Sequence, residues 1–467
     1  MSDKDVHYME LLEVSKLIQS RKLSSVEVTQ AQLDRIAKLD TKLKSYVTVM
    51  ADKALKEANT ADEQIAKGRI KGPLHGVPVA VKDLCWTDGE ATTFGMPIFK
   101  NNVTREDGTV PRKLREAGAV ILGKVQLTEG ALTDHHPDVP APVNPWNADH
   151  WSGVSSSGSG VAPAAGLCFG AIGTDTGGSI RYPSSACGLS GIKPTWGRVS
   201  RYGAFELAAT LDHLGPMNRS AADAGAMLGA IAGADVNDPT ASLLPVPNYL
   251  DSVGKGIKGM KIGIDTRYIS DDVDGPTTQM MEHVLATIKA LGAEVREIQF
   301  PEHRDVLRNW FPLCSIEAAV VHEKTYAANK SKYGPAMVNL IESGMKLSGM
   351  DYQKIILDRL AFKGRVEALF QDVDLLLVPT IPMQSPTVKQ MAVTGQEYAD
   401  LWYAMMRYTA PFDMTGSPTI TLPGGFTSSN APLGFQFVAP HFREELLVQA
   451  GDAYQGATDW HKKHPVL

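Results

Sequence analysis

The sequence predicts an α/β protein built on one large sheet, mixed but mostly parallel, with helices covering both faces. Short apolar runs set between glycine and proline recur from Gly76 onward, a pattern typical of buried strands. Helical patterns separate several of these runs, and such alternation is typical of α/β folds. No internal repeat or low-complexity linker interrupts the pattern, so the chain is expected to form one domain.

The first seventy residues are predicted to be helical and to pack outside a larger structure. Ser24-Ser-Val-Glu27 is a capping box, in which two side chains satisfy free backbone N–H groups at a helix start. The helix that it opens is expected to reach about Leu39. A second helix is expected over Met50–Lys67, with Gly68 as its C-cap.

Eight apolar runs are the predicted strands: Val77–Val81, Ala119–Leu122, Ala171–Gly173, Met260–Ile264, Val295–Ile298, Asp374–Val378, Thr419–Leu422 and Phe435–Val438. Helices are predicted over Ala221–Ala232 and Gln279–Leu291, between strands of this series. The single domain, residues 1–467, is expected to comprise N-terminal helices over 1–70, a core over 71–220 and a helical insertion near the pocket over 301–372.

Charge and composition exclude several classes of function. The 46 basic and 52 acidic residues give a net charge of -6 without a long single-sign block, which disfavours nucleic acid as a partner. The charge-free stretch Trp151–Thr174 is rich in glycine and serine and contains Pro163, so it is a poor membrane span. The first residues, Met1–His7, lack the pattern of a secretory signal, and a cytoplasmic protein is expected. Whether the chain forms a homodimer is left open.

No metal or cofactor is predicted. The four cysteines are scattered without a C-x-x-C pair, and no P-loop, dinucleotide-binding or H-E-x-x-H motif occurs. His135 and His136 are adjacent but lack partners at ligand spacing, so a loop or pocket-lining role is the better interpretation.

A glycine-rich segment points to a candidate nucleophile. Gly173-Thr-Asp-Thr-Gly-Gly-Ser-Ile-Arg181 places two glycines directly before Ser179. Glycines let the backbone approach a substrate closely, and consecutive N–H groups there can face a developing oxyanion. Asp175 and Arg181 bracket the serine and are expected to hold the loop by hydrogen bonds or an ion pair.

A serine nucleophile needs a base, and no Ser-His-Asp arrangement is evident. No G-x-S-x-G elbow surrounds Ser179. Lys82 is the candidate base, because it ends the apolar run from His75 that would carry it into the interior, where burial keeps a lysine neutral. A lysine at a strand end that reaches out to water remains the alternative.

A second serine-rich segment, Ser152-Gly-Val-Ser-Ser-Ser-Gly-Ser-Gly160, lies between Trp151 and the small, apolar stretch Val161–Gly170. Taken alone, such a run is usually a turn or linker. Its apolar flanks indicate instead that it is embedded in packed structure.

Together, these segments resemble the amidase signature family. The resemblance rests on Gly76–Asp83, the two serine and glycine segments in the same order and spacing, and the run from Cys187 to Asp223. Pro411–Pro418 and Leu433–Phe437 resemble the family's C-terminal part. The resemblance thus covers most of the chain.

The resemblance implies the amidase signature fold and a serine hydrolase of amide C–N bonds. Aryl or alkyl amides are the implied substrates, with esters and carbamates (urethanase activity) as further ones. Ser179 would be the acylated nucleophile, Ser155 the bridging serine with a cis peptide bond, and Lys82 the terminal base. The implied oxyanion hole consists of the backbone amides of Thr176, Gly177, Gly178 and Ser179.

The chain departs from the common family pattern at Val154 and Ser157, which replace glycines beside the bridging serine. Both changes are expected to reshape or narrow the pocket. Ser156 and Ser157 are expected chiefly to satisfy the loop backbone.

Two other functions stay open. One is the glutaminase subunit of a tRNA-dependent amidotransferase, disfavoured by the segment Ala204–Asp212 and by the lack of a basic face. The other is a non-catalytic binding protein of the same fold, disfavoured because all three catalytic residues are present. The aromatic and methionine residues considered for the pocket are Phe94, Met96, Trp310, Phe311, Trp402, Tyr403 and Met406.

Overall fold

The computed structural model describes residues 6–467. The strands of this part are β1 Tyr46–Val49, β2 Pro78–Lys82, β3 Val120–Val125, β4 Gly170–Asp175, β5 Ser190–Lys193, β6 His213–Asn218, β7 Lys261–Ile264, β8 Glu294–Glu297, β9 Leu375–Pro379, β10 Thr419–Phe426 and β11 Pro432–Val438. They form one sheet in the order β1-β3-β2-β4-β6-β5-β10-β11-β9-β7-β8. The large mixed sheet with helices that the sequence predicts is therefore confirmed.

The α-helices of the described residues are α1 Leu11–Gln19, α2 Ser25–Leu43, α3 Ala51–Ala66, α4 Thr109–Glu116, α5 Ser157–Ala164, α6 Arg181–Cys187, α7 Ala221–Ile231, α8 Thr266–Ser270, α9 Gly275–Ala290, α10 Arg304–Asn329, α11 Pro335–Gly344, α12 Gly349–Leu369, α13 Val388–Met391, α14 Gly395–Met406, α15 Ala410–Thr415 and α16 Glu444–Gly456.

The expectation that the sheet is mostly parallel is wrong. Among the described strands, β2 pairs in parallel with β3 and β4, and β7 with β8 and β9, whereas the six other neighbouring pairs are antiparallel. The middle of the sheet, from β4 to β9, is antiparallel throughout. Short links such as the one between β10 and β11 allow only antiparallel pairing, because a parallel partner needs a crossover of a dozen residues or more.

All eight predicted strands are present, and β1, β5 and β6 were not predicted. β1 has only four residues, whose burial alternates at the edge of the sheet. β5 and β6 are fully buried, but their sequences, SGIK and HLGPMN, contain glycine, proline and polar residues in place of an apolar run. Their burial comes from neighbouring strands, which a local pattern does not reveal.

The N-terminal helices follow their predicted capping signals. The Ser24 side chain accepts from the Glu27 N–H, and the Glu27 carboxylate accepts from the Ser24 N–H at 2.8 Å, as a capping box requires. α2 runs four residues beyond the expected end, to Leu43. Gly68 follows α3 with a φ of +71°, as expected of a C-cap glycine.

Helices α10, α11 and α12 occupy most of the segment over which a helical insertion is predicted, and α10 alone has 26 residues. The N-terminal segment predicted over 1–70 includes five residues outside the described part, so the interpretation of Met1–His7 falls largely there. No helix in residues 6–467 has the length and apolar character needed to cross a membrane.

Strand direction gathers the polar residues of interest at one edge of the sheet. β2 and β4 are parallel neighbours, with Ala80 opposite Ala171 and Val81 opposite Ile172. Their carboxyl ends, at Lys82 and Asp175, therefore meet at the same edge. This is the edge at which α/β sheets usually bind ligands.

Candidate active site

Lys82 lies at the end of β2 and is completely buried. Its ammonium group donates to the Ser155 hydroxyl at 2.8 Å, to the Ser156 hydroxyl at 2.8 Å and to the Thr174 hydroxyl at 2.7 Å. These three bonds use all three ammonium hydrogens. The alternative of a lysine that reaches out to water is therefore excluded.

Burial lowers the pKa of Lys82 to about 7, because the charged form loses its hydration in the interior. Cys85, Asp175 and Asp212 act in the opposite direction and raise it, but by less. Near neutral pH a substantial fraction of the side chain is thus the free amine, the form that accepts a proton.

The two serines that accept from Lys82 lie directly before α5. The peptide bond between Val154 and Ser155 is cis, as the family resemblance implies. Ser156 does more than satisfy the loop backbone: its hydroxyl accepts from the Thr174 N–H and donates to the Thr174 carbonyl, both at 3.1 Å. Ser156 thus ties the loop to β4 while contacting Lys82.

Ser179 follows β4 and has 9% of its surface exposed, whereas Ser155 is fully buried. Ser179 faces a pocket, and its hydroxyl makes no hydrogen bond within residues 6–467. No bond therefore joins it to Ser155 in this structure.

The loop before Ser179 is organised by Asp175. One carboxylate oxygen of Asp175 accepts the Gly178 N–H at 2.7 Å, and the other accepts the Ile180 N–H at 2.9 Å. The Gly178 amide is therefore already bonded, which removes it from the four donors expected in an oxyanion hole. In the described part of the chain the N–H groups of Thr176, Gly177 and Ser179 have no acceptor and stay available.

Arg181 holds Asp175 through a buried charge network. Its guanidinium donates to the two Asp175 oxygens at 2.8 and 3.0 Å, and to Asp413 at 2.5 Å. Burial by itself raises the pKa of Asp175, but the charge of Arg181 and its hydrogen bonds outweigh burial and hold this pKa below its usual range. The structural role predicted for Asp175 and Arg181 is confirmed.

The outer side of the loop is held by groups from distant parts of the chain. The Trp310 indole N–H donates to the Thr176 carbonyl at 2.8 Å, and the Thr409 hydroxyl donates to the Gly177 carbonyl at 2.7 Å. The Thr176 hydroxyl donates to Asp212 at 2.6 Å. Because hydrogen bonds on the outer side of the loop hold these carbonyl groups, the orientation of the loop's free N–H groups is fixed.

The sequence did not indicate that these residues support the loop, although Trp310 was among the residues considered for the pocket. Thr174 lies within the Gly173–Arg181 segment, and the parallel pairing of β2 with β4 is the signal that would have placed it beside Lys82. Trp310 and Thr409 are 134 and 232 residues away from their partners in the loop, and no local pattern connects them.

The pocket at Ser179 is narrow and mainly apolar, with a cavity volume of about 30 Å³. None of its lining side chains in the described residues is charged; they belong to Ala131, Leu132, Thr133, Val154, Thr176, Ser179, Tyr182, Leu207, Trp310, Trp402 and Met406. Three of the seven aromatic and methionine candidates line it: Trp310, Trp402 and Met406.

The four other candidates do not. Phe94 borders a separate cavity, and Met96 is buried elsewhere in the core. Phe311 and Tyr403 are 41% and 39% exposed. Each is adjacent in sequence to a pocket residue on a helix, and consecutive helical residues point in different directions.

The family model for amidases matches residues 27–448. This chain belongs to the amidase signature family. It is 46% identical over 464 residues to the protein of Mycobacterium bovis named "Putative amidase AmiD", covering 99% of this chain and 97% of that one. It is 35% identical over 481 residues to one subunit of the glutamyl-tRNA(Gln) amidotransferase of Geobacter sp. strain M21, covering 97% of this chain and 98% of that one.

Among solved structures of the family, the peptide amidase of Stenotrophomonas maltophilia is similar, with a TM-score of 0.84 and 28% identity over 98% of each chain. The amidase signature fold expected for this chain is thus confirmed. Membership of this family makes the chain an enzyme of the amide-hydrolysing class.

Proposed function

We propose that this member of the amidase family hydrolyses small apolar amides through an acyl intermediate on Ser179. The observation that carries the proposal is the buried contact of 2.8 Å between the Lys82 amine and the Ser155 hydroxyl, next to a Ser179 that faces the pocket. A neutral lysine bonded to a serine is a base with a proton carrier attached, and this arrangement replaces the missing histidine.

In the first step the Ser179 oxygen attacks the amide carbon. Its proton passes to Ser155, and the proton of Ser155 passes to the neutral amine of Lys82. The step requires Ser179 to turn toward Ser155 when substrate binds, and catalytic hydrogen bonds often tighten only in the complex. The C–N bond then breaks as the relay returns a proton to the leaving nitrogen.

The negative charge that develops on the carbonyl oxygen needs fixed donors. In this proposal the donors are the free N–H groups of Thr176, Gly177 and Ser179. The Gly178 N–H is not among them, because it donates to Asp175 and so stabilises the loop. Donors held in place before the reaction do not have to reorganise, so they lower the barrier effectively. Water then attacks the acyl carbon by the same relay, and the acid is released.

The lining of the pocket supports a substrate class. Tyr182, Leu207, Trp310, Trp402 and Met406 present aromatic and aliphatic surface, and no lining side chain of the described residues carries a charge. The zwitterionic end of glutamine would lose its hydration there without gaining a partner. Apolar amides are therefore favoured over glutamine, and carbamates and esters of similar shape fit the same chemistry.

The decisive experiment combines labelling with a substrate panel. A fluorophosphonate should modify Ser179, as found by peptide mass mapping, and Ser179→Ala should abolish labelling. A panel of an anilide, a primary amide, an ester, an aryl carbamate and glutamine should give the highest kcat/KM among the apolar substrates. Label on Ser155 or Ser200 with Ser179 unmodified would refute the assignment of the nucleophile. Efficient turnover of glutamine without turnover of the anilide would refute the substrate class.

A further inference from the structure

A second cavity of about 920 Å³ lies next to the reaction pocket and takes no part in the proposed chemistry. Five aromatic side chains form much of its wall, those of Trp86, Phe94, Phe99, Tyr202 and Phe205. The Phe94 and Phe205 rings are stacked with centroids 4.1 Å apart, which holds both rings in place. Cavities with such walls bind flat apolar groups well, because aromatic rings offer large contact areas.

Arg201 lines the same cavity and is buried, with only 9% of its surface exposed. One guanidinium nitrogen, Nη2, donates to the Thr240 hydroxyl at 2.8 Å, and the Trp196 ring lies 5.0 Å from the guanidinium carbon. The other two nitrogens, Nε and Nη1, are buried and have no hydrogen-bond acceptor in residues 6–467. A guanidinium left with free donors is costly in a protein interior unless a ligand meets them.

The acidic neighbours of Arg201 do not meet these donors. Asp238 lies 4.0 Å from Nε, beyond hydrogen-bond distance, and its oxygens already accept from the Arg201 backbone N–H and from Thr240. Glu106 accepts from the Tyr202 hydroxyl near the solvent. Glu206 is half-buried at the same wall and makes no hydrogen bond among the described residues.

A small cavity lies between this cavity and the reaction pocket. Arg201, Phe205 and Glu206 line both the second cavity and the small one, and Ala131 and Leu207 line both the small one and the pocket at Ser179. The cavity is nevertheless separate in chemistry, since its wall carries charged side chains of both signs, those of Arg105, Arg201, Glu106, Glu206 and Asp238, and the pocket at Ser179 has none among the described residues.

We propose that the second cavity is a binding site for an aromatic carboxylate, held by a charge-assisted hydrogen bond from one of the free Arg201 donors, Nε–H or Nη1–H, and by the surrounding rings. A guanidinium N–H that donates to a carboxylate forms a short, charge-assisted hydrogen bond, which is stronger than a bond between neutral groups. The site goes beyond the proposed hydrolysis and does not depend on the chemistry of Ser179.

Binding without turnover tests this. Titration calorimetry with 3-phenylpropanoate as the probe should show binding by the wild-type protein, and the neutral alcohol 3-phenylpropan-1-ol should bind at least tenfold more weakly. Arg201→Met should weaken binding of the carboxylate at least tenfold. Trp402→Phe, a matched change in the pocket at Ser179, should leave it within twofold.

Two results would overturn the proposal. One is equal affinity for the carboxylate and the alcohol; the other is loss of binding in Trp402→Phe with retention in Arg201→Met, which would place the probe in the reaction pocket. Because Arg201→Met risks misfolding, Glu206→Gln provides an independent test. It removes a negative charge next to the site and should tighten binding severalfold, and unchanged or weaker binding contradicts the proposal.

Discussion

Trp310 and Thr176 join the helical segment to the loop of the active site, because the indole N–H of Trp310 donates to the Thr176 carbonyl at 2.8 Å. The ring also packs so closely on Gly177 that a Cβ there would lie 2.6 Å from it. One side chain of α10 thus lines the pocket and holds the backbone that faces the substrate.

Trp310→Phe keeps an aromatic ring and removes this hydrogen bond. A single neutral hydrogen bond contributes about 0.5–1.5 kcal/mol, so kcat/KM should fall roughly threefold to tenfold. Trp146→Phe is the matched control, since it removes an indole bond to the Cys187 carbonyl outside the pocket. Steady-state kinetics on an anilide measures both, and equal effects of the two changes would contradict the positioning role.

The dependence of the activity on pH should follow the protonation state of Lys82. Its pKa is lowered to about 7, so the free amine and the activity both increase as pH rises through about 7. Lys82→Met should reduce kcat by at least about a hundredfold and abolish this rising limb. Lys193 is a second fully buried lysine whose pKa burial lowers to about 7, and it provides the control. A limb that persists in Lys82→Met and disappears in Lys193→Met would mean that the base is Lys193.

Thr174→Val should shift that limb to lower pH. The Thr174 hydroxyl accepts a hydrogen from the Lys82 ammonium at 2.7 Å and so favours the charged form. Without the bond the amine loses its proton more easily, and the midpoint should fall by up to about one pH unit. Ser159→Ala removes a buried hydroxyl that bonds Ile172 instead, and it should leave the midpoint in place. An upward shift in Thr174→Val would refute the assignment.

Gly178→Ala should disable the loop. Gly178 has a φ of +134°, and a Cβ there would lie 2.4 Å from the Tyr182 ring. Both the backbone conformation and the contact are unfavourable for alanine, so the fluorophosphonate labelling rate should fall at least about tenfold, with a loss of stability of about 1 kcal/mol or more. Gly364→Ala is the control, since a Cβ there meets nothing within 4 Å. Normal labelling of Gly178→Ala would show that the loop tolerates another conformation.

Arg181→Met should destabilise the protein by about 3–5 kcal/mol, because it leaves Asp175 and Asp413 as buried carboxylates without their partner. Arg115→Met removes a partly exposed arginine that also pairs with two carboxylates, and it should cost at most about 1 kcal/mol. Urea denaturation at pH 7 compares the two midpoints. Similar losses in both variants would mean that the buried network contributes little.

Local sequence patterns predicted much of this protein correctly. The apolar runs located eight strands, and the Ser24 to Glu27 capping box located a helix start, because burial and capping depend on residues close together in the chain. Sequence motifs suggested Ser179 and Lys82 as candidate catalytic residues and the family resemblance added Ser155; the structure brings Lys82 and Ser155 into contact, and the catalytic roles stay predictions.

Contacts between distant segments needed the tertiary structure. β5 and β6 are strands because their neighbours bury them, and the direction of the central strands depends on which segments meet in the sheet. Side-chain directions decide three further features. These are the hydrogen bond from the Gly178 N–H to Asp175, the hydrogen bond from Trp310 to the loop, and the unpaired donors of Arg201. A local pattern determines what a residue can do; packing between segments far apart in the chain decides which partner it meets, and so which of its groups are left for substrate.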